Sequence, residues 1–569
     1  MMLYLLTSLY RGVIVVATMY VDVSTVHLGN KSYTRYLLRE SFRENGRVKH
    51  RTIANLSPCS PQEIDAIRLA LRHKEDLSAL QTAQPAIVLR QGPSVGAVWL
   101  LQEVARALGL EKALGTTEQG KLALWQVIAR VLDQGSRLSA VRLATTHAAG
   151  EILGLKPFDE DALYANLDWL AAQQTEIEGR LFDHRPAPST TGLFLYDVTS
   201  SYLEGEHNAF GAFGYNRDKK RGKRQIVIGL LCDSSGRPLS IEVFPGNTQD
   251  LKTFSAQIEK VATRFGGGDI SFVGDRGMIK APQIKALGER EFHYITAITK
   301  PQIEALLAQG TLQMNLFDEA LAEITRSEAE RYILRRNSVR AQEITASRED
   351  KYQTLVNAVT AANAYLAYHP RANPDRALNK LQRRAERLRL HDWTTLALQG
   401  RTIHLGKDPD ALAECARLDG CYVLKTDLPA SNAPKEIVHD RYKDLALIEW
   451  AFRESKTVHL EMRPIYVRLE SRTRGHALVV MLAYLIVHEL AQRWRHLDLT
   501  VQEGLDRLAT LCLTEVHLPG QSVVYQLPLP SPALQEILDA AQVHLPSKLP
   551  YSGIVVTTNT KLPQRRKLS

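Results

Sequence analysis

An ordered alternation of strand-like and helix-like segments between residues 193 and 299 constrains the fold of this chain most. Apolar residues at three-to-four spacing predict helices at 250–265 and 280–289. Short runs rich in β-branched and aromatic residues predict five strands, at 193–203, 224–233, 238–245, 270–276 and 292–299. Three consecutive strands therefore precede a helix, a strand, a helix and a strand, which indicates a mixed sheet flanked by helices.

Two aspartates lie on these predicted strands. Asp197 lies within FLYDVTSSYLEG and Asp275 lies within ISFVGDRGM. A buried carboxylate costs free energy unless a partner compensates it, and a divalent metal ion is a common partner. Each aspartate alone also suits a structural role, as a turn residue or as a cap of local backbone amides. In the predicted order the first strand is central and the fourth lies beside it, so both acids are expected at one metal site.

A third acid, Glu449, lies on a predicted helix within RYKDLALIEWAFRESK. Tyr442, Glu449 and Lys456 are spaced at sevens, and Arg453 follows Glu449 by one turn, so a regular helix presents them on one exposed stripe. The neighbouring stripe is apolar and contains Leu445, Ile448 and Phe452. The exposed stripe suits a metal ligand with phosphate-binding neighbours. The alternative is an exposed Glu–Arg pair of minor energetic effect.

Other segments surround this core. Alternating runs within 20–56, with a hairpin turn at Asn45-Gly46, predict strands, and a helix follows from Gln62 to about Leu80. Residues 94–185 show helical periodicity throughout and fit either a helix-turn-helix DNA-binding module or a plain helical bundle. The basic candidates of this region, for which a solvated face is an equal alternative, are Arg137, Arg142 and His147.

The predicted fold is α/β, a ribonuclease-H-like mixed sheet flanked by helices, with an inserted domain and a helical N-terminal region. Residues 1–18 are interpreted as an upstream start artefact, because Met19 opens the first patterned segment and Arg11 interrupts an apolar run too short to span a membrane. The further predicted domains are a β-hairpin unit plus helix at 19–90, a helical, candidate DNA-binding domain at 91–187, the catalytic core at 188–300 and 419–500, the insertion at 301–418, and C-terminal helices with a basic tail at 501–569.

Composition narrows the possible partners. The net charge of +9 suits a polyanionic partner but does not by itself establish one. The five cysteines are scattered, without a CxxC pair or a Cys/His cluster. This pattern excludes zinc fingers and a disulfide framework and indicates a reducing compartment.

At this point the motifs resemble the DDE transposases of bacterial insertion sequences, in the branch marked by Tyr-x2-Arg-x3-Glu-x6-Lys. Tyr442, Glu449 and Lys456 match that signature, whereas Leu445 occupies the Arg position. YDVTSSYLEG and VGDRGM are similar to the family's first and second aspartate segments, and residues 463–486 are similar to the helix that follows the glutamate. The resemblance covers about 190–490 well and 19–190 more loosely.

The resemblance implies that Asp197, Asp275 and Glu449 are the catalytic residues and bind two Mg²⁺ ions, for which Mn²⁺ substitutes. It implies DNA cleavage and strand transfer, in which water and then a 3′-hydroxyl attack phosphodiesters. The implied partners are the element's terminal inverted repeats and target DNA, bound by a homodimer in a synaptic complex in the cytoplasm, without a membrane. Two alternatives stay open: a nuclease of the same fold without strand transfer, and a non-catalytic DNA-binding protein descended from a transposase.

Several side chains are predicted to contact DNA. The turn NRDKKRGKR follows the first core strand and is either a DNA-binding element or a solvated hairpin tip. Because Leu445 replaces the family's Arg, the missing phosphate contact is assigned to Arg441, Lys443 or Arg453, with Arg453 favoured. The predicted DNA-binding residues are Tyr442, Arg453, Lys456, Arg217, Lys219, Lys220, Arg221, Lys223, Arg224 and Arg276.

The insertion adds further candidates. Its basic helix carries Arg383, Arg384, Arg387 and Arg389, which suit phosphate contacts or an exposed basic face. In related transposases the insertion helps to hold a DNA hairpin and a flipped base. By that resemblance Trp393 is the candidate for stacking on a base.

Overall fold

The computed structural model describes residues 18–28, 31–44, 47–73, 88–185, 192–205, 207–218, 220–265, 270–327, 330–458, 460, 462–463, 465–517 and 523–551. The chain divides into two compact units, Met1–Gln91 with Thr514–Gln526, and Gly92–Leu513 with Leu527–Ser569. Several predicted features lie outside the described residues: nearly all of the start artefact, the Asn45-Gly46 turn, Lys219 and the basic tail.

The first unit contains the predicted N-terminal strands. Strands β1 (Thr18–Leu28), β2 (Lys31–Glu44) and β3 (Arg47–Asn55) pair antiparallel in sequence order. The helix Pro61–Arg72 follows, and Ser60 and Glu63 form a capping box that satisfies N–H groups at its start. Strand β4 (Val88–Ser94) comes next. The predicted strands within 20–56 and the start of the following helix are confirmed, whereas that helix ends at Arg72 instead of continuing to about Leu80.

Residues 96–184 are helical, as predicted. The helices are Gly96–Ala107, Leu110–Leu114, Glu118–Leu132, Arg137–Thr146, Ala149–Leu153 and Glu160–His184. The two longest, Glu118–Leu132 and Glu160–His184, contact each other and the later helix Glu470–Arg493. Contacts of this kind favour the helical bundle over a free helix-turn-helix module.

A mixed eight-stranded sheet dominates the second unit. Its strands are β5 (Leu193–Tyr202), β6 (Gln225–Asp233), β7 (Pro238–Pro245), β8 (Ser271–Gly274), β9 (His293–Ala297), β10 (Ala322–Ser327), β11 (Glu330–Arg336) and β14 (Cys421–Thr426), in the spatial order β10-β11-β14-β9-β8-β5-β6-β7. β8 pairs parallel with both β5 and β9, and the other pairs are antiparallel. The predicted position of the fourth core strand beside the first is confirmed.

Helices cover this sheet and bury an aromatic core against it. The covering elements are the helix Asp250–Lys260, its π-helical extension Val261–Phe265 and the helix Ala281–Gly288. Phe254, Phe272 and Tyr196 are buried, with ring centroids 5.5 Å apart for Phe254–Phe272 and 5.8 Å apart for Tyr196–Phe254. This core holds β5 and β8 in a fixed relation.

The sheet extends into the range predicted as an inserted domain. β10 and β11 lie within 301–418, yet they pair in the core sheet through β14. The helices Lys300–Ala308, Ser338–Tyr368, Pro374–Leu388 and Pro409–Ala416 and the hairpin β12 (Thr394–Gln399) and β13 (Thr402–Lys407) make up the rest of this range. From Ser338 onward they surround a hydrophobic core of their own, which includes Leu355, Leu381 and Trp393.

The C-terminal part of the chain is mainly helical. Its elements are the helices Lys435–Lys443 and Leu445–Arg453, the π-helical turn Glu454–Val458, the helices Glu470–Arg493 and Val501–Ala509, strands β15 (Cys512–His517) and β16 (Val524–Gln526), and the helix Pro532–Ala540. β15 was not predicted. It joins β4 and β16 in a small sheet.

The helix Glu470–Arg493 runs through the interior of the second unit. Among the described helices it alone has the length and the mean hydropathy, 1.4, of a membrane-spanning segment. However, 83% of that segment is buried inside the protein, where it contacts β7 and the helices Glu118–Leu132 and Glu160–His184. Its apolar composition is accounted for by this packing.

Gly475 lies where the helices Glu470–Arg493 and Glu160–His184 approach each other closely. A Cβ at this position would lie 2.1 Å from the backbone oxygen of Leu167. We predict that Gly475→Ala destabilises the protein by about 2 kcal/mol, because the backbones must separate and this cost exceeds the helix-propensity gain. Gly179→Ala is the matched control, because nothing lies within 4 Å of its added Cβ. It is expected to stabilise by up to about 1 kcal/mol in urea unfolding. Equal effects of the two substitutions contradict the tight contact.

Candidate active site

The sheet register brings the two strand aspartates together. Tyr196 of β5 pairs with Gly274 of β8 in a parallel ladder. Asp197 is the next residue on β5, whereas Asp275 is the first residue after β8 and is exposed, so the prediction that Asp275 lies on a buried strand is wrong by one residue at the strand end. Because adjacent strands lie about 4.8 Å apart, their side chains start from neighbouring positions at one edge of the sheet.

The helix that carries Glu449 packs on the same strand. Helix Leu445–Arg453 contacts β5, and its buried face contains Ile448, Ala451 and Phe452. Glu449 lies on the exposed side of this helix. It is within electrostatic range of Asp197, because its carboxylate affects the pKa of that residue.

The charge balance at Asp197 is unfavourable for an isolated carboxylate. Burial raises the pKa of Asp197 to about 7, and the carboxylates of Asp275 and Glu449 add to the rise. A hydrogen bond of 2.7 Å from the Val198 N–H and the nearby Arg217 act in the opposite direction. Three acids are thus gathered where positive charge does not balance them, which is a common property of functional sites.

Tyr442 lies at the edge of this acidic group. Burial raises the pKa of its phenol, and a hydrogen bond with Asp275 and the negative charge of that residue raise it further. Asp275, Arg276 and Tyr442 line a cleft of ≈ 440 Å³, whose lining also includes Lys300 and Arg340. Arg276 is exposed. The cleft therefore combines Asp275 with cationic side chains.

The exposed stripe predicted around Glu449 is interrupted. One helix ends at Lys443, the next begins at Leu445, and the chain forms a π-helical turn at Glu454–Val458. Glu449 and Arg453 are exposed, but Lys456 is 8% exposed. The prediction that Lys456 lies on an exposed stripe is wrong, because the π-helical turn rotates it into the protein.

Lys456 is instead bound to the strand that carries Asp197. Its Nζ donates to Thr199 Oγ1 at 3.0 Å and to the Ser200 carbonyl oxygen at 2.6 Å. It also pairs with Asp218 Oδ1 at 2.5 Å. Burial lowers the pKa of Lys456, and the hydrogen bond with Asp218 opposes that shift. In this arrangement Lys456 fixes the chain after Glu449 onto β5.

Asp218 was not predicted as part of the site. Its side chain is 1% exposed, and it accepts hydrogen bonds from Lys456, Arg463 and the backbone N–H of Tyr202. The sequence places it among many lysines and arginines, a run that was interpreted either as a DNA-binding element or as a solvated hairpin tip. A single acid within a basic run is the signal that would have identified it.

The basic turn between β5 and β6 has both paired and exposed side chains. Arg217 makes a bidentate pair with Asp250, at 2.7 and 2.8 Å. Lys223 pairs with Glu204 at 2.8 Å on the surface. The exposed cations of this turn are Lys220, Arg221, Lys223 and Arg224. The turn directly follows β5, so these cations come after the strand of Asp197 in the chain.

The predicted apolar stripe beside Glu449 is confirmed, whereas the predicted role of Trp393 is not. Leu445 is partly buried and Ile448 and Phe452 are buried, as expected for an apolar stripe. Trp393 is 3% exposed and packs against Tyr352, with ring centroids 5.5 Å apart. Its predicted availability for stacking on a base is therefore wrong. The insertion arginines Arg383, Arg384, Arg387 and Arg389 are exposed.

The three acids interact electrostatically, but their carboxylates are not arranged as ligands of one ion. Within the described ranges, no three histidine, cysteine, aspartate or glutamate side chains are grouped so that they hold a metal ion. Asp197 Oδ1 and Asp275 Oδ1 each accept a hydrogen bond of 2.7 Å from the N–H of the following residue. These local bonds orient both carboxylates toward their own backbone.

Two family models match this chain. Residues 188–486 match the family model described as the transposase DDE domain, and residues 23–84 match that of the IS1634 family transposase N-terminal domain. No curated protein matches the chain. Among solved structures, the chain is similar to a piggyBac transposase in a synaptic complex with hairpin DNA. The TM-score is 0.35 at 9% identity, covering 73% of this chain and 78% of that chain.

We predict that Asp218 stabilises the fold around the acids. Asp218→Asn leaves Lys456 and Arg463 without their shared counter-charge, which should cost about 3 kcal/mol in urea unfolding. Glu204→Gln is the matched control, because its pair with Lys223 is exposed and should contribute below about 1 kcal/mol. A loss of the same size in both variants contradicts the buried role of Asp218.

Proposed function

We propose a mechanism for this chain on the basis of its family. The chain belongs to the DDE transposases, because the model of their DDE domain matches residues 188–486, more than half of the chain. It is a transposase of an insertion sequence, an enzyme that cleaves DNA and transfers strands, and its N-terminal region matches the IS1634 type.

The proposed catalytic residues are Asp197, Asp275 and Glu449. The observation that carries this assignment is the parallel register of β5 and β8, which sets Asp197 beside Asp275. Helix Leu445–Arg453 packs on β5 and brings Glu449 within electrostatic range. We further propose that the sheet is a ribonuclease-H-like core, on the basis of the order β7-β6-β5-β8-β9 with its two parallel pairs.

The acids fit a divalent cation by their chemistry. The DDE domain depends on a divalent metal, and carboxylate oxygens are the ligands that Mg²⁺ prefers. Because burial and the neighbouring acids raise the pKa of Asp197, a cation between these side chains would relieve their repulsion. Mg²⁺ keeps several waters and needs few protein ligands, so rotation of Asp197 and Asp275 away from their own backbone amides would suffice. We propose Mg²⁺, with Mn²⁺ able to substitute.

The chain's own residues would then hold and orient the reacting groups. Divalent ions at such a site activate an attacking oxygen and stabilise the charge that develops on the scissile phosphate. Asp197, Asp275 and Glu449 would hold these ions at the edge of the sheet. Tyr442 and Arg276 border the cleft beside Asp275, where they can contact a phosphate of the strand being cut.

Lys456 has a different proposed role from the one that the sequence indicated. Its ammonium contacts Thr199, Ser200 and Asp218 instead of facing solvent. We propose that it positions Glu449 by fixing the end of that helix to the strand of Asp197. DNA contact by Lys456 would require it to leave these partners.

The proposed DNA partners are the terminal inverted repeats of the element and its target DNA. The exposed cations of the turn after β5, namely Lys220, Arg221, Lys223 and Arg224, would contact phosphates near the acids. We propose that a homodimer forms the synaptic complex and that the enzyme acts in the cytoplasm, as the family resemblance implies.

We predict that Asp275→Asn or Glu449→Gln abolishes Mg²⁺-dependent cleavage of labelled terminal DNA, with at least a thousandfold loss. Binding of that DNA should stay within a fewfold of wild type, because basic side chains supply most of the affinity. Glu436→Gln is the matched control: Glu436 is an exposed acid on the preceding helix, and its loss should leave cleavage unchanged. Cleavage at the wild-type rate in either acid variant assigns the chemistry to other residues.

We predict that Arg453 supplies the phosphate contact that Leu445 lacks. Arg453 is exposed one turn after Glu449, and arginine binds phosphate through two N–H groups. Arg453→Ala should slow cleavage more than Arg441→Ala or Lys443→Ala. It should also reduce the salt dependence of DNA binding by about one phosphate contact. Small and equal effects of all three substitutions would rule out this compensation.

A further inference from the structure

A second cluster of basic side chains lies away from the acids. A cavity of ≈ 290 Å³ opens between the helical region and the start of the helix Glu470–Arg493. Arg130, Arg137, Arg463 and His476 line it, together with the hydroxyl-bearing Ser136 and Tyr164. We call this cavity the arginine pocket. No acidic side chain is among its lining residues.

Arg137 is the least compensated charge in the arginine pocket. It is 6% exposed, although the sequence suggested either a DNA-contacting residue or part of a solvated face. Of its five N–H donors, one has a hydrogen-bond partner among the described residues, and no ion pair of Arg137 occurs there. Burial, with the nearby charge of Arg130, lowers the pKa of Arg137 to about 9, so it stays cationic at neutral pH. A buried cation of this kind is costly unless an anion binds to it.

The other groups of the pocket are also donors. Arg137 Nη2 lies 2.7 Å from His476 Nδ1, and because arginine only donates, Nδ1 accepts and Nε2 carries the proton. Burial lowers the pKa of His476, so the ring is neutral. Arg130 donates to the carbonyl oxygens of Gln134 and Gly135, at 2.7 and 3.0 Å, and so fixes the turn beneath the pocket. The ten-residue helix Arg137–Thr146 begins at this turn, with its positive end at the cavity.

One ion pair connects the pocket to the proposed active site. Arg463 lines the pocket and also pairs with Asp218 Oδ1 at 2.5 Å. Asp218 in turn binds Lys456, which contacts Thr199 and Ser200 on the strand of Asp197. An anion in the pocket would therefore be held at a fixed place relative to the catalytic strand.

We propose that the arginine pocket binds a backbone phosphate of the DNA on which this enzyme acts. The proposal rests on the proposed function, and it adds an anchoring site separate from the acids and from the basic turn after β5. Guanidinium groups match the geometry of phosphate oxygens, and a buried donor set without acids selects an anion over a cation. Free inorganic phosphate shares this chemistry, and the experiment below separates the two sources.

The first arm of the test measures binding of terminal DNA as a function of salt concentration. Arg137→Gln is expected to weaken binding about tenfold and to reduce the slope of log K against log salt by about 0.9, the value for one phosphate. Arg507→Gln removes the same charge from the exposed surface of the helix Val501–Ala509 and should change neither value. Arg137→Lys keeps the charge without the guanidinium fork, so an intermediate affinity is expected even if Arg137→Gln folds poorly.

The second arm uses inorganic phosphate as a probe without DNA. Phosphate, relative to chloride of equal ionic strength, should raise the melting temperature of the wild-type protein more than that of Arg137→Gln, because surface exclusion of phosphate stabilises both proteins equally. Equal rises in the two proteins together with an unchanged salt slope overturn the pocket. A larger rise in the wild type with an unchanged slope makes the pocket a site for free phosphate and overturns the DNA assignment. Wild-type protein that binds no terminal DNA overturns the proposed function and the DNA assignment with it, while the phosphate arm still decides whether the pocket binds an anion.

Discussion

The parallel pairing of β5 with β8 is the contact on which the proposed active site depends. It joins two segments that are distant in sequence, and its register sets Asp197 beside Asp275. The aromatic core of Phe254, Phe272 and Tyr196 holds both strands from beneath, so a slip of register would disrupt that packing as well as the acids. The helix of Glu449 then packs on β5. The acids are thus placed by the packing of the core.

Asp218 and Asp197 differ in how their negative charges are compensated. Asp218 is paired with Lys456 and Arg463, which compensates its charge and connects three segments of the chain. Burial raises the pKa of Asp197, and the neighbouring acids Asp275 and Glu449 raise it further. Full compensation suits a structural role, whereas an uncompensated acidic group suits a site that binds cations. The arginine pocket shows the reverse imbalance at Arg137, a buried cation with no acid among the lining residues of its cavity, and suits an anion.

Local patterns predicted much of this arrangement. The strand that carries Asp197, the strand that ends just before Asp275, their adjacency and the helical region followed from periodicity and strand order. The burial of Lys456 did not follow from the sequence. Heptad spacing assumes one regular helix, but the helix is interrupted at Asp444 and a π-helical turn forms at Glu454–Val458. Asp218 was not predicted, and Trp393 was misjudged, for a related reason. Their partners are Arg463 and Tyr352, and no local pattern reports such distant contacts.

The most direct test of the central claim is the position of a bound metal ion. Crystals of the protein with Mn²⁺, measured by anomalous scattering, would locate the ion without reference to activity. The proposed site predicts an anomalous peak within about 2.5 Å of carboxylate oxygens of both Asp197 and Asp275, with Glu449 facing it. A Mn²⁺ ion bound elsewhere, with these two side chains still hydrogen-bonded to their own backbone, would contradict it.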